Sequence, residues 1–168
     1  MDLLDFEPTD MYFAEPLDPV AEALINEAAE LYGQPDAEAK LRAAESIQPR
    51  HPSVLVALYR YHFYRHEHAR ALAVAERAMG VTARRLEFPE QWRDVGETDV
   101  RRATRMQPER TRFFLHALKG AGYLHLRLGN HEEGLARLDH VASLDAMDRL
   151  GAKALADVVR QSLFADAA

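Results

Sequence analysis

A pattern that returns after 34 residues constrains this chain more than any other feature. Leu24, Ala37 and Ala44 are answered by Leu58, Ala71 and Ala78. In the first copy, Leu41 and Ile47 complete an apolar face that closes at Pro49. A further copy surrounds Gly122, Gly134, Leu138 and Leu144. A period of this size predicts helical hairpins stacked side by side, because one hairpin cannot bury its apolar face alone.

The bulk properties narrow the options. A chain of 168 residues fits one domain and can bury a core without disulfides or structural metal. It has no cysteine, which excludes thiolate zinc sites, iron–sulfur clusters and cysteine nucleophiles. No apolar run is long enough for a membrane span. The acidic start lacks a basic-then-apolar leader, so a cytoplasmic location is expected. Residues 1–50 carry 3 basic and 12 acidic side chains, whereas residues 51–112 carry 12 basic and 8 acidic. Overall acidity argues against nucleic-acid binding, where phosphate contacts dominate affinity.

Residues 1–18 mix acids, aromatics and prolines without a helical period. Pro8, Pro16 and Pro19 favour extended backbone. Leu3, Leu4, Phe6, Met11, Tyr12 and Phe13 make this an arm that lies along an apolar surface, its own or another's. Helices are predicted over Val20–Tyr32, with Asp18 as N-cap, over Asp36–Ile47, and from Pro52 to about Arg65. A fourth begins near Glu67 and either ends at Gly80 or continues towards Leu86. Repeats are thus placed at about 19–50, 52–85 and 115–148. The insert 86–114 holds the only tryptophan, Trp92, and a short helix Val100–Met106 capped by Thr98 or Asp99. It reads either as a degenerate repeat or as a loop packed over the stack. A long helix Arg112–Leu128, a turn at Gly129-Asn130 and a helix His131–Leu144 follow. Asp148 opens a capping helix within 149–164.

The copies LRLGNHEEGLARLDHVASLDAMD and QPDAEAKLRAAESIQP resemble the tetratricopeptide repeat family. The first keeps that family's turn glycine at Gly129 and small residue at Gly134; the second keeps its alanines and closing proline. The middle copy departs, with His66 at the turn and Ala83 where proline is usual. The resemblance implies an all-α, right-handed helical-hairpin solenoid (TPR-like) of about three degenerate repeats plus a C-terminal capping helix. It implies a protein-binding role without catalysis or cofactor. The family's carboxylate clamp does not carry over, since Glu22 and Val56 stand where positive charge is needed. The runs LLDFEPTDMYFAEPLDP, VLVALYRYHFYRHE and FFLHALKGAGYLHLRLG are similar to small repeat proteins encoded among bacterial nitrogen-fixation genes. That similarity implies an accessory role in assembling or protecting nitrogenase.

The first helix of each hairpin is expected to line a concave groove. The candidates there are Asn26, Arg60, Phe63, Tyr64, His116, Lys119, Tyr123 and Arg127. Aromatics give contact area at low entropic cost, and arginine adds planar hydrogen bonding. The expected partner is an extended acidic and hydrophobic protein segment, and the chain's own arm is one such segment. The arm could also join two copies. Competing readings are ordinary packing of Phe63, Tyr64 and Tyr123, a chaperone of the type III secretion kind, and a histidine-dependent metal carrier. His62 and His66 lie four apart on one helix face, with His68 near. No H-E-x-x-H, G-x-S-x-G, P-loop or dinucleotide fingerprint is present. Trp92, with Phe88 and Val95, is expected to anchor the insert, and Arg101, Arg102 and Arg105 to pair with Glu97, Asp99 or Glu109.

Overall fold

Asp18 does what its position in the sequence predicts. Its carboxylate accepts the N–H groups of Val20 at 2.8 Å and Ala21 at 3.4 Å, and Pro19 takes the first helical position. The computed structural model describes residues 15–166. Most of the expected arm therefore lies outside the described residues. Within them there are eight α-helices, one 3-10 turn and no strand. The helices are α1 (Pro19–Glu30), α2 (Asp36–Ile47), α3 (Pro52–Tyr64), α4 (His68–Arg85), α5 (Glu97–Met106), α6 (Pro108–Arg127), α7 (His131–Leu144) and α8 (Ala152–Asp166). The turn spans Trp92–Asp94.

Two boundaries differ from expectation for clear reasons. α5 starts at Glu97, one turn early, because Asp99 acts from inside the helix and accepts the Gly96 N–H at 3.0 Å. α6 starts at Pro108, not Arg112, because proline suits a first turn whose N–H has no partner. α4 runs straight through Gly80, whose cost of about 1 kcal/mol is small against the buried face that follows.

Three pairs of consecutive helices pack on each other: α1 with α2, α3 with α4, and α6 with α7. α4 then lies against α6, α2 against α3, α5 against α6, and α8 against α7. Small side chains set these distances. Ala37, Ala44, Ala71, Ala75, Ala78 and Ala121 are wholly buried. A Cβ added at Gly122 would sit 3.1 Å from the Gly134 carbonyl oxygen. One added at Gly134 would sit 2.9 Å from the Gly122 oxygen and 2.7 Å from Leu126. Tyr59, Phe113, Phe114, Leu55, Leu118, Leu124 and Leu138 fill the interior around these seams.

The second and third hairpins turn alike. Glu67 N–H donates to His62 O at 2.9 Å, and Asn130 N–H donates to His125 O at 2.9 Å. Both close a left-handed residue, Gly129 at φ 82° and His66 at φ 59°. A Cβ in that region costs about 1–2 kcal/mol, so His66 carries strain that Gly129 avoids.

Two substitutions test this packing by urea denaturation. Gly134→Ala is expected to lower stability by about 1–3 kcal/mol through the α6–α7 clash. His66→Gly is expected to raise it by up to about 1 kcal/mol. A neutral Gly134→Ala would mean that the two backbones do not approach closely.

Candidate functional site

A cleft of about 660 Å³ separates α1 from α3. These two helices touch only sparsely; α1 is held mainly by α2. Each wall is a helical stripe at three- and four-residue spacing. From α1 come Glu22, Ile25, Asn26, Ala29 and Tyr32, and from α3 come Ser53, Val56, Ala57, Arg60, Tyr61 and Tyr64. Ala28 and Leu41 add apolar surface, and Leu17 contributes from the chain preceding α1. Tyr32 is 51 % and Tyr64 56 % exposed, and their rings meet edge to face at 6.5 Å. Such amphipathic rings leave large apolar faces in water unless something covers them. The cleft holds one guanidinium, one carboxylate, one amide and one serine among apolar and tyrosine groups. It suits an apolar segment with a few polar handles.

Three of the eight groove candidates, Asn26, Arg60 and Tyr64, line this cleft. Phe63 is half-buried and links the two sides of α3: it stacks on Tyr59 at 5.7 Å and meets Tyr123 of α6 at 5.9 Å. Arg127 is exposed and donates to the Tyr123 hydroxyl at 2.9 Å. These three form a ridge beyond the cleft and in part serve packing between helices. The remaining two candidates lie deeper in the fold. His116 and Lys119 are only 4 % and 3 % exposed. Lys119 Nζ donates to the Leu150 carbonyl at 2.5 Å, which directs it to the segment before α8. α6 is packed by α4, α5 and α7. Tyr32 and Tyr61 were missed as wall residues. The three- and four-residue stripe of α1, continued past its last turn, finds Tyr32, and the same spacing on α3 finds Tyr61.

The histidines do other work. His62 is buried and its Nδ1 lies 2.7 Å from Glu67 Oε2. Glu67 also accepts from Arg70 at 3.0 Å, and Arg70 pairs with Glu38 of α2. That pairing, joined by Arg42, holds the Glu38 carboxyl down at about 2. Among the described residues, no group of three His, Asp or Glu side chains is placed to hold a metal ion.

The insert is fastened as its aromatics predict. Trp92 lies between the guanidinium groups of Arg93, 4.3 Å from the ring centre, and Arg137, at 5.1 Å. Arg137 is buried on α7 and reaches Glu76 of α4 at 2.7 Å and Glu133 at 3.0 Å. His140 Nε2 donates to the Val95 carbonyl at 3.0 Å. Arg101 pairs with Glu97, and Arg102 lies 3.8 Å from Asp99 and 3.3 Å from Glu87. Burial pushes His140 below its ordinary value near 6.5, and burial together with Arg137 does the same to His125.

No family profile matches the chain, and no solved structure matches it. Among curated proteins it is 42 % identical, over 161 residues, to an uncharacterized 19.8 kDa protein in the nifW 5′ region of Azotobacter chroococcum mcd 1. The match covers 96 % of this chain and 90 % of the relative. It agrees with the similarity to proteins encoded among nitrogen-fixation genes.

The lowered histidines give a pH signature. Below about 6.5 the unfolded chain takes up protons that folded His125 and His140 refuse, so stability falls with pH. Urea unfolding is expected to show a plateau above about pH 7 and a decline towards about pH 5. His140→Gln, which keeps a side-chain N–H donor, should flatten that decline. A stability that rises on acidification through this window would contradict the burial of these rings.

Proposed function

The chain belongs to the family of the 19.8 kDa protein of the nifW 5′ region, and from that premise we propose that it is a non-catalytic binding protein of nitrogen fixation. It acts as an adaptor or chaperone for a component of nitrogenase assembly or protection. It works in the cytoplasm and recognises an extended protein segment. The hairpins α1–α2, α3–α4 and α6–α7 are read as degenerate TPR-like repeats in a right-handed stack, with α8 as the cap. In such a stack the first helices of successive hairpins border the concave side, and α1 and α3 are such helices.

The observation that carries this reading is the cleft with its two exposed tyrosines. A monomer gains nothing by leaving Tyr32 and Tyr64 half in water beside an apolar trough, and exposed apolar patches with polar rims mark binding sites. Arg60 and Asn26 supply directional bonds that would fix the register of the bound segment. The gene neighbourhood of the relative supports the choice of partner class.

Ala57 sits midway along the α3 wall and is only half-buried, so Ala57→Trp fills the cleft from a position with room for the ring. Capture from nitrogen-fixing cells is expected to retain a nitrogen-fixation component on the unaltered chain. The Ala57→Trp chain should bind that same component at least about tenfold more weakly, a loss of about 1.4 kcal/mol. An unchanged thermal unfolding curve would certify the fold. Equal retention by both chains would exclude the cleft as the binding site.

A further inference from the structure

The first helices of the three hairpins end in aromatic residues whose rings meet along one edge of the stack. Tyr32 follows the last turn of α1, Phe63 and Tyr64 close α3, and Tyr123 and Arg127 lie in the last two turns of α6. Between ring centres, Tyr32 meets Tyr64 at 6.5 Å, Tyr64 meets Phe63 at 5.8 Å, and Phe63 meets Tyr123 at 5.9 Å. The Arg127 guanidinium lies 5.8 Å from the centre of the Tyr123 ring and donates to its hydroxyl at 2.9 Å. Tyr32 and Tyr64 also line the cleft, so the row continues from it. Phe63 and Tyr123 are half-buried and hold the row in place, while Tyr64 and Arg127 are exposed. A row fixed by its own packing loses little freedom when a partner covers it.

Arg127 brings this edge a charge that no carboxylate among the described residues meets; its contacts there are with Tyr123. The α3–α4 turn supplies one carboxylate, Glu67, but His62 at 2.7 Å, Arg65 at 3.0 Å and Arg70 at 3.0 Å already engage it. Next to it, the His66 and His68 rings lie 5.9 Å apart, and His68 meets Phe63 at 6.4 Å. Burial, with Arg127 and His66 adding to it, holds His68 below its ordinary value near 6.5. The spacing of the row is equally specific. Its steps of 5.8–6.5 Å approach the repeat of alternate side chains in an extended chain, which is about 6.4–6.8 Å. One exposed guanidinium on a chain of net charge −6 suits a carboxylate better than a phosphate backbone, whose binding needs many such contacts.

We propose that this ridge is the outer half of the binding site, and that its ligand is an extended protein segment with apolar side chains at alternate positions and a carboxylate one step beyond them, seated on Arg127. This rests on reading the cleft as a site for extended segments. The apolar positions cover Tyr64, Phe63 and Tyr123. The carboxylate takes the N–H groups of Arg127 that the Tyr123 hydroxyl leaves over, in a charge-assisted bond. Tyrosine and arginine are the side chains that most often dominate binding energy at interfaces. Here the rings supply contact area, and the arginine fixes the direction and register of the segment.

The test uses the full chain and two fluorescein-labelled peptides, Leu-Thr-Leu-Thr-Leu-Thr-Glu-amide and its counterpart ending in Gln, with binding read by anisotropy. The Glu peptide is expected to bind about three- to fivefold more tightly than the Gln peptide at low salt. That preference should shrink as salt is added. Arg127→Gln should make the two peptides equal, and Tyr64→Ser should weaken both. Arg127 and Tyr64 are exposed, so unchanged thermal unfolding is expected of both variants. Failure of the Glu peptide to bind, or a Glu preference that survives Arg127→Gln, would overturn the proposal. So would tighter binding of a short oligothymidylate than of the Glu peptide, which would make the ridge a surface for single-stranded nucleic acid. These failures leave the capture experiment with Ala57→Trp standing. Conversely, an Arg127-dependent preference that Ala57→Trp does not touch would keep the ridge and remove the cleft.

Discussion

The close approach of paired helices over side chains of minimal size is the constraint on which the rest depends. Gly122 and Gly134 let α6 and α7 meet closely, with each carbonyl oxygen within 3.1 Å of where the other's Cβ would stand. Ala37 and Ala44 play the same part within the first hairpin, and Ala71, Ala75 and Ala78 within the second. Once pairs are this tight, bulky residues cannot fit between their members. Leu55, Tyr59, Phe113, Phe114 and Leu118 are driven instead to the layers between pairs, where they form one continuous core. The ion pairs Glu38–Arg70 and Glu45–Arg77 also join α2 to α4. Their groups are partly exposed, so they add little beside the buried apolar area.

The same constraint explains why a cleft remains. The first hairpin leans on its neighbour chiefly through α2, so α1 stands off from α3 and leaves a trough along both helices. Trp92 and the Arg137 network seal the insert against α4 and α7, and α8 covers the outer side of α7. The apolar cleft between α1 and α3 lies beside residues 15–18, where Leu17 joins its wall. Binding at this end needs no motion in the rest of the fold.

Much of the fold was legible because alanine and glycine positions repeat with the chain's own period. α2 and α7 have the bounds that their flanking prolines, turn residues and apolar spacing indicate. The all-helical character follows for the same reason. The start of α6 was less legible, since Pro108 admits either a loop or a first helical turn. The site was legible only in part. Periodicity places a residue on a face but does not say which neighbour covers that face. Asn26, Arg60 and Tyr64 fall beside an open trough, whereas His116 and Lys119 occupy comparable positions on a helix enclosed by three others. No feature local to α6 distinguishes those cases. Tyr32 was expected as the last residue of the first helix and not as a groove residue; it follows the last turn of α1 and lines the cleft.

The most direct measurement is the electron density between α1 and α3 in a crystal structure of the full chain. The account predicts helices held apart along Ile25, Asn26, Val56 and Ala57, with Tyr32 and Tyr64 bordering an accessible trough between them. Direct packing of α1 onto α3, with Tyr32 and Tyr64 buried against each other and no volume left for a ligand, would contradict it.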